Sequence, residues 1–420
     1  MQAAIPFLLW IVLSSPGLNP PIQPWLPKAP PLPPPQGEVI RVSTAEQLFE
    51  AAEAVKPGGA ILLEDGVYFM PRYFEIRTDG VTLRSASGRR ENVILDGSKS
   101  MHGELVGITA CSGVTIADLT IQNIKWNGFK INSNKNVQNL TIYNCIIHNI
   151  WQRGVKSVKV PETDRERIRP KNCRIQYCLF YNDRPKQYSD DPSDTQETFR
   201  GNYIGGIDTM YAKGWTISDN VFTGIHGRTG EARGCVFMWH HAEDCIIERN
   251  VIIDCDTGIA LGNSSGIGPG QSSVHCSNFI VRNNFISVAP ENGILADYTK
   301  DCQILHNTIY DPRSVLKRLI RIVHDNPGLV VANNLLCGPP MRVESQSAVR
   351  FSNNLTGDYA SYFADPLKGD LHLTDDASQA IDQGAPLEGV LDDFDRQKRD
   401  ALPDIGADEF KQLSAAPGRG

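Results

Sequence analysis

Three short segments of this chain, GFKI, GVKS and GIDT, place Lys130, Lys156 and Asp208 each two residues after a glycine. If the segments are equivalent strands lying side by side, these side chains share one outward face and become neighbours. Two ammonium groups about 5 Å apart repel each other unless an anion stands between them, and such crowding favours the neutral, basic amine. A neutral lysine beside a second cation is what removal of the C5 proton of a uronic acid requires, because the sugar carboxylate must be neutralised at the same time. On this reading Lys156 is the base and Arg153 or Lys130 the neutralising cation. The alternative is a solvated charged face.

A second set of reactive types follows in IHGRTGEARG and VFMWHHAED: His226, Arg228, Glu231, Arg233, Trp239, His240 and His241. Trp239 offers a ring on which a pyranose stacks, and His240 or His241 moves a proton near neutral pH. His226, Arg228, Arg233 and His241 would line the substrate around them. Because His240 and His241 are adjacent, a strand would turn only one of them to the groove. Asp208 with Glu231 would suit glycoside hydrolysis instead, and His226, His240 and Asp208 are a conceivable metal set, although none is assigned. A turn with exposed histidines and a tryptophan closing the core is the other reading.

Side chains from such distant segments meet only if the segments are held in register, and a repeat supplies the register. VTIADLTI (114–121), LTIYNCII (140–147), CRIQYCLF (173–180), WTISDNVF (215–222), CIIERNVI (245–252), NFIVRNNF (278–285), CQILHNTI (302–309), GLVVANNL (328–335) and AVRFSNNL (348–355) share one template. Their common column reads Leu119, Cys145, Cys178, Asn220, Asn250, Asn283, Asn307, Asn333, Asn353. Alternating β-branched residues make each segment a strand, and a unit of roughly two dozen residues cannot bury its inward face alone, so units must stack. An inward Asn once per unit bonds to the Asn above it. The Gly-led segments are a second strand, with glycine at the bend between faces. The expected fold is all-β: a single-stranded, right-handed parallel β-helix over 38–356, with an N-terminal capping helix and an irregular C-terminal cap over 357–420. The helix is announced by an S-x-x-E box, Ser43 to Glu46, ahead of Leu48, Phe49, Ala52 and Val55.

Two excursions interrupt the repeat where sites are commonly built. Between Arg153 and Arg174 stand eight basic residues against Glu162, Asp164 and Glu166, a charge that suits an acidic glycan. The next excursion holds Asp190, Asp191, Asp194 and Glu197, which could bind Ca2+ or simply pair with the basic segment; the D-x-D-x-D-G spacing is absent.

Across the 420 residues, 41 Lys and Arg against 48 Asp and Glu give a net charge of −7, which argues against nucleic acid as a partner. Residues 1–15, with the apolar run IPFLLWIVLSS, read as a signal peptide too short to span a bilayer, so the protein is expected to be secreted or displayed at the cell surface. Residues 16–37 read as a proline-rich linker, either an extended spacer or a disordered leader. None of the ten cysteines forms a C-x-x-C pair. Side chains one coil apart have Cβ atoms about 4.8 Å apart, beyond disulfide range, so the cysteines read as small buried hydrophobes. A monomer is expected.

The chain resembles the pectin-lyase-like superfamily of secreted β-helix proteins. VKPGGAILLEDGVY, with its preceding helix, is similar to the opening of polysaccharide lyases of the chondroitinase B and alginate lyase kind. The tail SQAIDQGAPLEG with DIGADEF is similar to one found on exported bacterial β-helix proteins. The resemblance implies a polysaccharide lyase acting on an acidic, uronate-containing glycan, with a catalytic Lys in a K-S step, an upstream acidic pair holding calcium and an Arg-His on the next coil. GVKSVKV supplies Lys156 and Ser157; Trp151, Gln152 and Arg153 stand where the acidic pair would be, and GIDTMYA lacks the Arg-His. Only Lys156 is carried over. The alternatives are a non-catalytic surface or glycan-binding protein, and a glycoside hydrolase or epimerase on the same fold.

Overall fold

The computed structural model describes residues 23–265 and 273–411, so the signal-length run and residues 16–22 of the linker lie outside the described residues. From Val39 onward the chain winds into coils of three short strands, and the coils stack into parallel sheets of twelve, eleven and ten strands around one core. Inward columns such as Ile142, Ile175, Ile217 and Ile247 run in register from coil to coil and are buried.

Each repeat proves to be two strands rather than one. A residue with left-handed backbone splits it, as at Asp118 (φ 55°), Asn144 (φ 49°), Asp219 (φ 61°) and Arg249 (φ 52°). With the Gly-led strand, this makes three strands per coil. The residue after the corner turns inward and builds the ladder. Asn220 Nδ2 donates to Asn250 Oδ1 (3.0 Å), Asn250 to Asn284 (2.9 Å), Asn284 to Asn307 (2.9 Å), Asn307 to Asn334 (3.0 Å) and Asn334 to Asn354 (2.8 Å). The expected column is therefore one residue off in three coils. Asn283, Asn333 and Asn353 are the corner residues (φ 53°, 54° and 49°), and in each Asn-Asn doublet the second amide enters the core. The shifted register puts Val281, Val331 and Phe351 in the inward column and removes the exception at Arg350.

The glycines of the Gly-led strands answer to close approach: a Cβ on Gly206 would lie 2.4 Å from the Cys235 carbonyl oxygen of the next coil. Helix α1 (Ala45–Ala54) closes the first coil with Leu48 and Ala51 buried. Its cap is Thr44, one residue later than the S-x-x-E pattern implies: the Thr44 hydroxyl accepts from the Gln47 N–H (3.2 Å), and the Gln47 side chain accepts from the Ser43 N–H (2.9 Å). All ten cysteines are buried and unpaired.

Neither end of the described chain behaves as expected. Among the described residues the C-terminal region does not cover the last coil but folds back along the outward face of the eleven-stranded sheet, where Tyr362, Phe363, Leu371, Phe394 and Ile405 pack on Val221, Val251, Phe285 and Leu335. Those outward residues are apolar and need covering, which is the physical reason. Residues 23–37 lie against the body instead of standing off it. The Trp25 ring sits 6.4 Å from Phe285 and 5.7 Å from His372, Tyr143 Oη donates to the Pro30 carbonyl (2.7 Å), and Arg84 donates to that of Pro33 (3.1 Å). Proline carbonyls, free of any strand partner, are ready acceptors for such a strap.

Candidate functional site

The ten-stranded sheet presents one outward column along the rod. Glu75, Gly107, Lys130, Lys156, Asp208, Phe237, Ala260, Leu295 and Arg321 follow one another in register, so the expected neighbourhood of Lys130, Lys156 and Asp208 is present. What surrounds the lysines differs from the expectation. They are not an unneutralised pair, because each has its own carboxylate: Lys130 is ion-paired with Glu104, and Lys156 Nζ lies 2.8 Å from Asp208 Oδ2.

Asp208 is the hub. Its Oδ2 also accepts from Arg153 Nε (2.7 Å), and its Oδ1 accepts from Trp239 Nε1 (3.0 Å). Burial alone would push this carboxyl up, but the Lys156 and Arg153 charges outweigh it and hold it down at about 2. The Arg153 guanidinium, 1% exposed, lies 3.9 Å over the Tyr203 ring, and its Nη2 has no hydrogen-bond partner. Two cations thus share one carboxylate, leaving one positive charge without a counter-charge within the cluster. A lysine in an ion pair presents protons rather than a lone pair, so the geometry makes Lys156 a cation of the site and not its base. Asp208, only 1% exposed beneath these groups, does not present itself with Glu231 as a glycosidase pair.

His240 and His241 lie not on the strand but at the corner after it, both left-handed (φ 50° and 56°). His240 is 9% exposed, packs against Trp239 at 4.3 Å between ring centroids and has its Nδ1 buried without a partner. Burial first, then the Lys159 charge, pulls it down to about 4, so it is neutral but a weak proton acceptor. Burial lowers His241 as well. Trp239 stacks on Phe237 (5.3 Å) and stays partly exposed, with Lys156 Nζ 6.0 Å from its ring centroid.

The remaining candidates hold loops. His226 is bonded to Asp256 (2.7 Å), and against burial its bonds to Asp254 and Asp256 lift it to about 10. It does not converge with His240 and Asp208; among the described residues, three such ligand groups converge only at His372, Asp395 and Asp408. Arg228 Nε donates to the Arg200 carbonyl (3.0 Å) and its guanidinium lies over Tyr188. The calcium expectation meets a different partner: Lys186, fully buried, lies 3.1 Å from Asp191 and 2.9 Å from Asp194, while Arg184 takes Asp190 (2.6 Å). These acids therefore pair neither with calcium-type spacing nor with the basic segment. That segment spends much of its charge internally, with Arg169 buried on Glu166 and Glu243 (both 3.0 Å).

Farther along the column a pocket of about 660 Å3 opens, floored by Phe237, Ala260 and Leu295. Of the sequence candidates only Arg233 and Glu231 reach it. The groups that sequence reasoning missed are Glu291, Asn292, Asp297, Arg321 and His324 on its far wall. The signal that finds them is the outward column itself, continued past Asp208 to the strands Asn292–Asp297 and Ile320–Val323. Burial raises the carboxyls of Glu291 and Asp297, although Arg318 (2.6 Å) and His324 (2.7 Å) respectively are paired with them.

Residues 167–336 match the family described as right handed beta helix region. The fold is a right-handed parallel β-helix. Among curated proteins none matches the chain. Solved β-helix structures similar to it include an alginate lyase from Paenibacillus sp. str. FPU-7, at 13% identity and a TM-score of 0.44 over 76% of this chain and 99% of that one. The mannuronan C-5 epimerase AlgE4 A-module of Azotobacter vinelandii has 13% identity and a TM-score of 0.44 over 74% and 90%. PfbA, a surface adhesin of Streptococcus pneumoniae, has 12% identity and a TM-score of 0.39 over 75% and 87%. With a lyase, an epimerase and an adhesin among them, likeness of this degree assigns no activity to this β-helix.

Proposed function

We propose that the outward face of the ten-stranded sheet binds an acidic polysaccharide carrying uronate units, and that the protein is a polysaccharide lyase cleaving that chain by β-elimination. The observation that carries this reading is the Arg153–Asp208–Lys156 cluster, in which two cations share one carboxylate and Lys156, its side chain 12% exposed, is the cation that faces outward. A sugar carboxylate that meets Lys156 at the surface offsets the surplus positive charge of the cluster, and a charge-assisted bond of this type is the strong kind. Trp239 beside the cluster gives the sugar ring its apolar platform. In this reading the protein works as a monomer outside the cytoplasm; no described helix is long and apolar enough to cross a membrane.

A second reading, retention of the glycan without cleavage, is favoured by the ion pair on Lys156 and the sealed Nδ1 of His240. One experiment separates the two. The protein, with and without chelator, is titrated with pectate, alginate and glycosaminoglycans, and binding, the ultraviolet absorbance of the unsaturated product and reducing ends are followed. Binding with absorbance, both weakened in Lys156→Met, supports the lyase, whereas binding alone supports retention. No binding to any uronate polymer overturns both readings.

A further inference from the structure

We propose that the proton acceptor of this face is the Asp297–His324 dyad in the 660 Å3 pocket, acting on a uronate unit of the bound chain. The inference rests on the acidic-glycan reading above and names a catalytic residue for it. Asp297 and Val323 are paired in register on adjacent strands, and His324 follows at the corner with left-handed backbone (φ 56°). Its ring lies parallel to that of Tyr298, 4.5 Å between centroids. His324 Nδ1 is 2.7 Å from Oδ1 of Asp297, which is 3% exposed. The buried carboxylate accepts the hydrogen bond of Nδ1–H, so the Nε2 lone pair is left for the pocket. Nε2 makes no hydrogen bond among the described residues, and the side chain is 37% exposed.

No other described histidine offers this combination. His226 and His372 each face two carboxylates, and both nitrogens of His148 are engaged by Gln122 and Asp183. His306 bonds to Gly406 and Asn333, His102 Nδ1 accepts from the Glu104 N–H, and His240, His241 and His275 have no carboxylate partner among the described residues. The pocket around His324 is furnished for an anionic sugar. Its floor of Phe237, Ala260 and Leu295 is apolar, Arg233 has no carboxylate partner among the described residues, and Asn292 Oδ1 is buried and unpartnered. Besides Asp297, the elements beside His324 carry Arg321, whose Nε is paired with Glu344 (2.7 Å), and Asp325 next in the chain.

The step is an elimination. His324 Nε2 takes the C5 proton of the uronate, and the C5–H electron pair becomes the second bond between C4 and C5. The bond from C4 to the glycosidic oxygen breaks, and that oxygen leaves with the pair and takes a proton from water. Arg321, a cation lining the pocket on the strand that leads into His324, offsets the charge that develops on the carboxylate side, and Asp297 offsets the imidazolium. Lys156 and Arg321 stand five coils apart in the column, about 24 Å at the strand spacing, so a polymer and not a single sugar reaches from the cationic cluster to the dyad.

The test uses the full chain with pectate and alginate oligomers. Loss of a general base costs about 10²–10⁴-fold in rate. His324→Gln is therefore expected to lose cleavage by that factor while oligomer affinity stays within about twofold, since binding rests on the cations. Asp297→Asn, as a positioning variant, is expected to lower kcat with KM little changed and to displace the His324 Nδ1–H proton resonance that marks the hydrogen bond to Asp297. A merely structural aspartate moves neither. In the wild type the His324 resonance is expected to shift on adding oligomer. Cleavage that survives in His324→Gln or a His324 resonance indifferent to ligand overturns the dyad proposal alone, whereas binding without any cleavage overturns the lyase reading together with it. Absence of binding removes the acidic-glycan reading beneath it as well.

Discussion

Asp208→Asn changes one charge and almost no shape, and the structure says what that charge is worth. The carboxylate is 1% exposed, with Arg153 at 2.7 Å and Lys156 at 2.8 Å, and it is held at about 2 against the usual 3.8. A shift of about two pH units corresponds to roughly 2–3 kcal/mol of folding stability. Because the folded value is the lower one, that stability is present above pH about 4 and drains away as pH falls toward about 2. The substitution costs more than the shift alone, since Arg153 keeps its charge at 1% exposure and cannot reach water; a broken buried pair of this kind costs about 3–5 kcal/mol. Urea unfolding followed by tryptophan fluorescence at neutral pH is expected to show a loss of that size. The acid limb of stability between pH about 4 and about 2 is expected to flatten in the same variant. In Arg153→Met with Asp208→Asn both charges leave together, so most of the loss is expected to return, and the double-mutant cycle completed by Arg153→Met alone reads the coupling directly. A loss below about 1 kcal/mol, or a double variant no better than Asp208→Asn, would refute the description of Asp208 as the hub that compensates two cations.

Asn284→Ala removes one rung of the ladder and leaves the buried backbone N–H of Asn250 without its acceptor, while Asn250 Nδ2 keeps the Ile217 and Glu248 carbonyls; thermal or urea unfolding is expected to show a loss of about 1–3 kcal/mol. The ten buried thiols, raised by desolvation wherever a shift is seen, are expected to resist a thiol reagent in the native protein and to react together on unfolding, with no change in Tm under reductant. His372 is lifted to about 10 by Asp370 and Asp395 although burial pulls it down, so its contribution is complete below pH about 6.5 and is lost as pH rises toward about 10. Limited proteolysis of the 358–411 region is expected to accelerate over that window, and His372→Gln to remove the dependence. Trp25→Ala is expected to loosen the same region at neutral pH, because Trp25, Phe285, Phe394 and His372 form one ring cluster.

The architecture was legible because a coil too short to bury its own face must repeat its inward residues, and repetition is visible in one dimension. The pairing of Lys130, Lys156 and Asp208 was legible for the same reason. The ladder register was legible except where Asn-Asn doublets such as Asn283–Asn284 admit two alignments, and backbone sign alone separates them: the left-handed residue makes the corner and its neighbour the rung. The same sign placed His240, Tyr298 and His324 at corners, where a strict strand alternation would have put them elsewhere.

Partnership was not legible. That Glu104 takes Lys130, that Lys186 absorbs Asp191 and Asp194, and that Asp297 orients His324 depends on side chains brought together by coils and excursions of irregular length. The strap of residues 23–37 and the return of the C-terminal region along the flank are of this kind too, since each is set by an apolar surface that exists only once the coils have stacked. Sequence by itself determined the repeat, its hydrophobic columns and the face on which charge accumulates, because these are periodic along the chain. Tertiary structure alone decided which charges neutralise each other and which nitrogen and which guanidinium remain unpartnered, because those are properties of distance and burial in three dimensions.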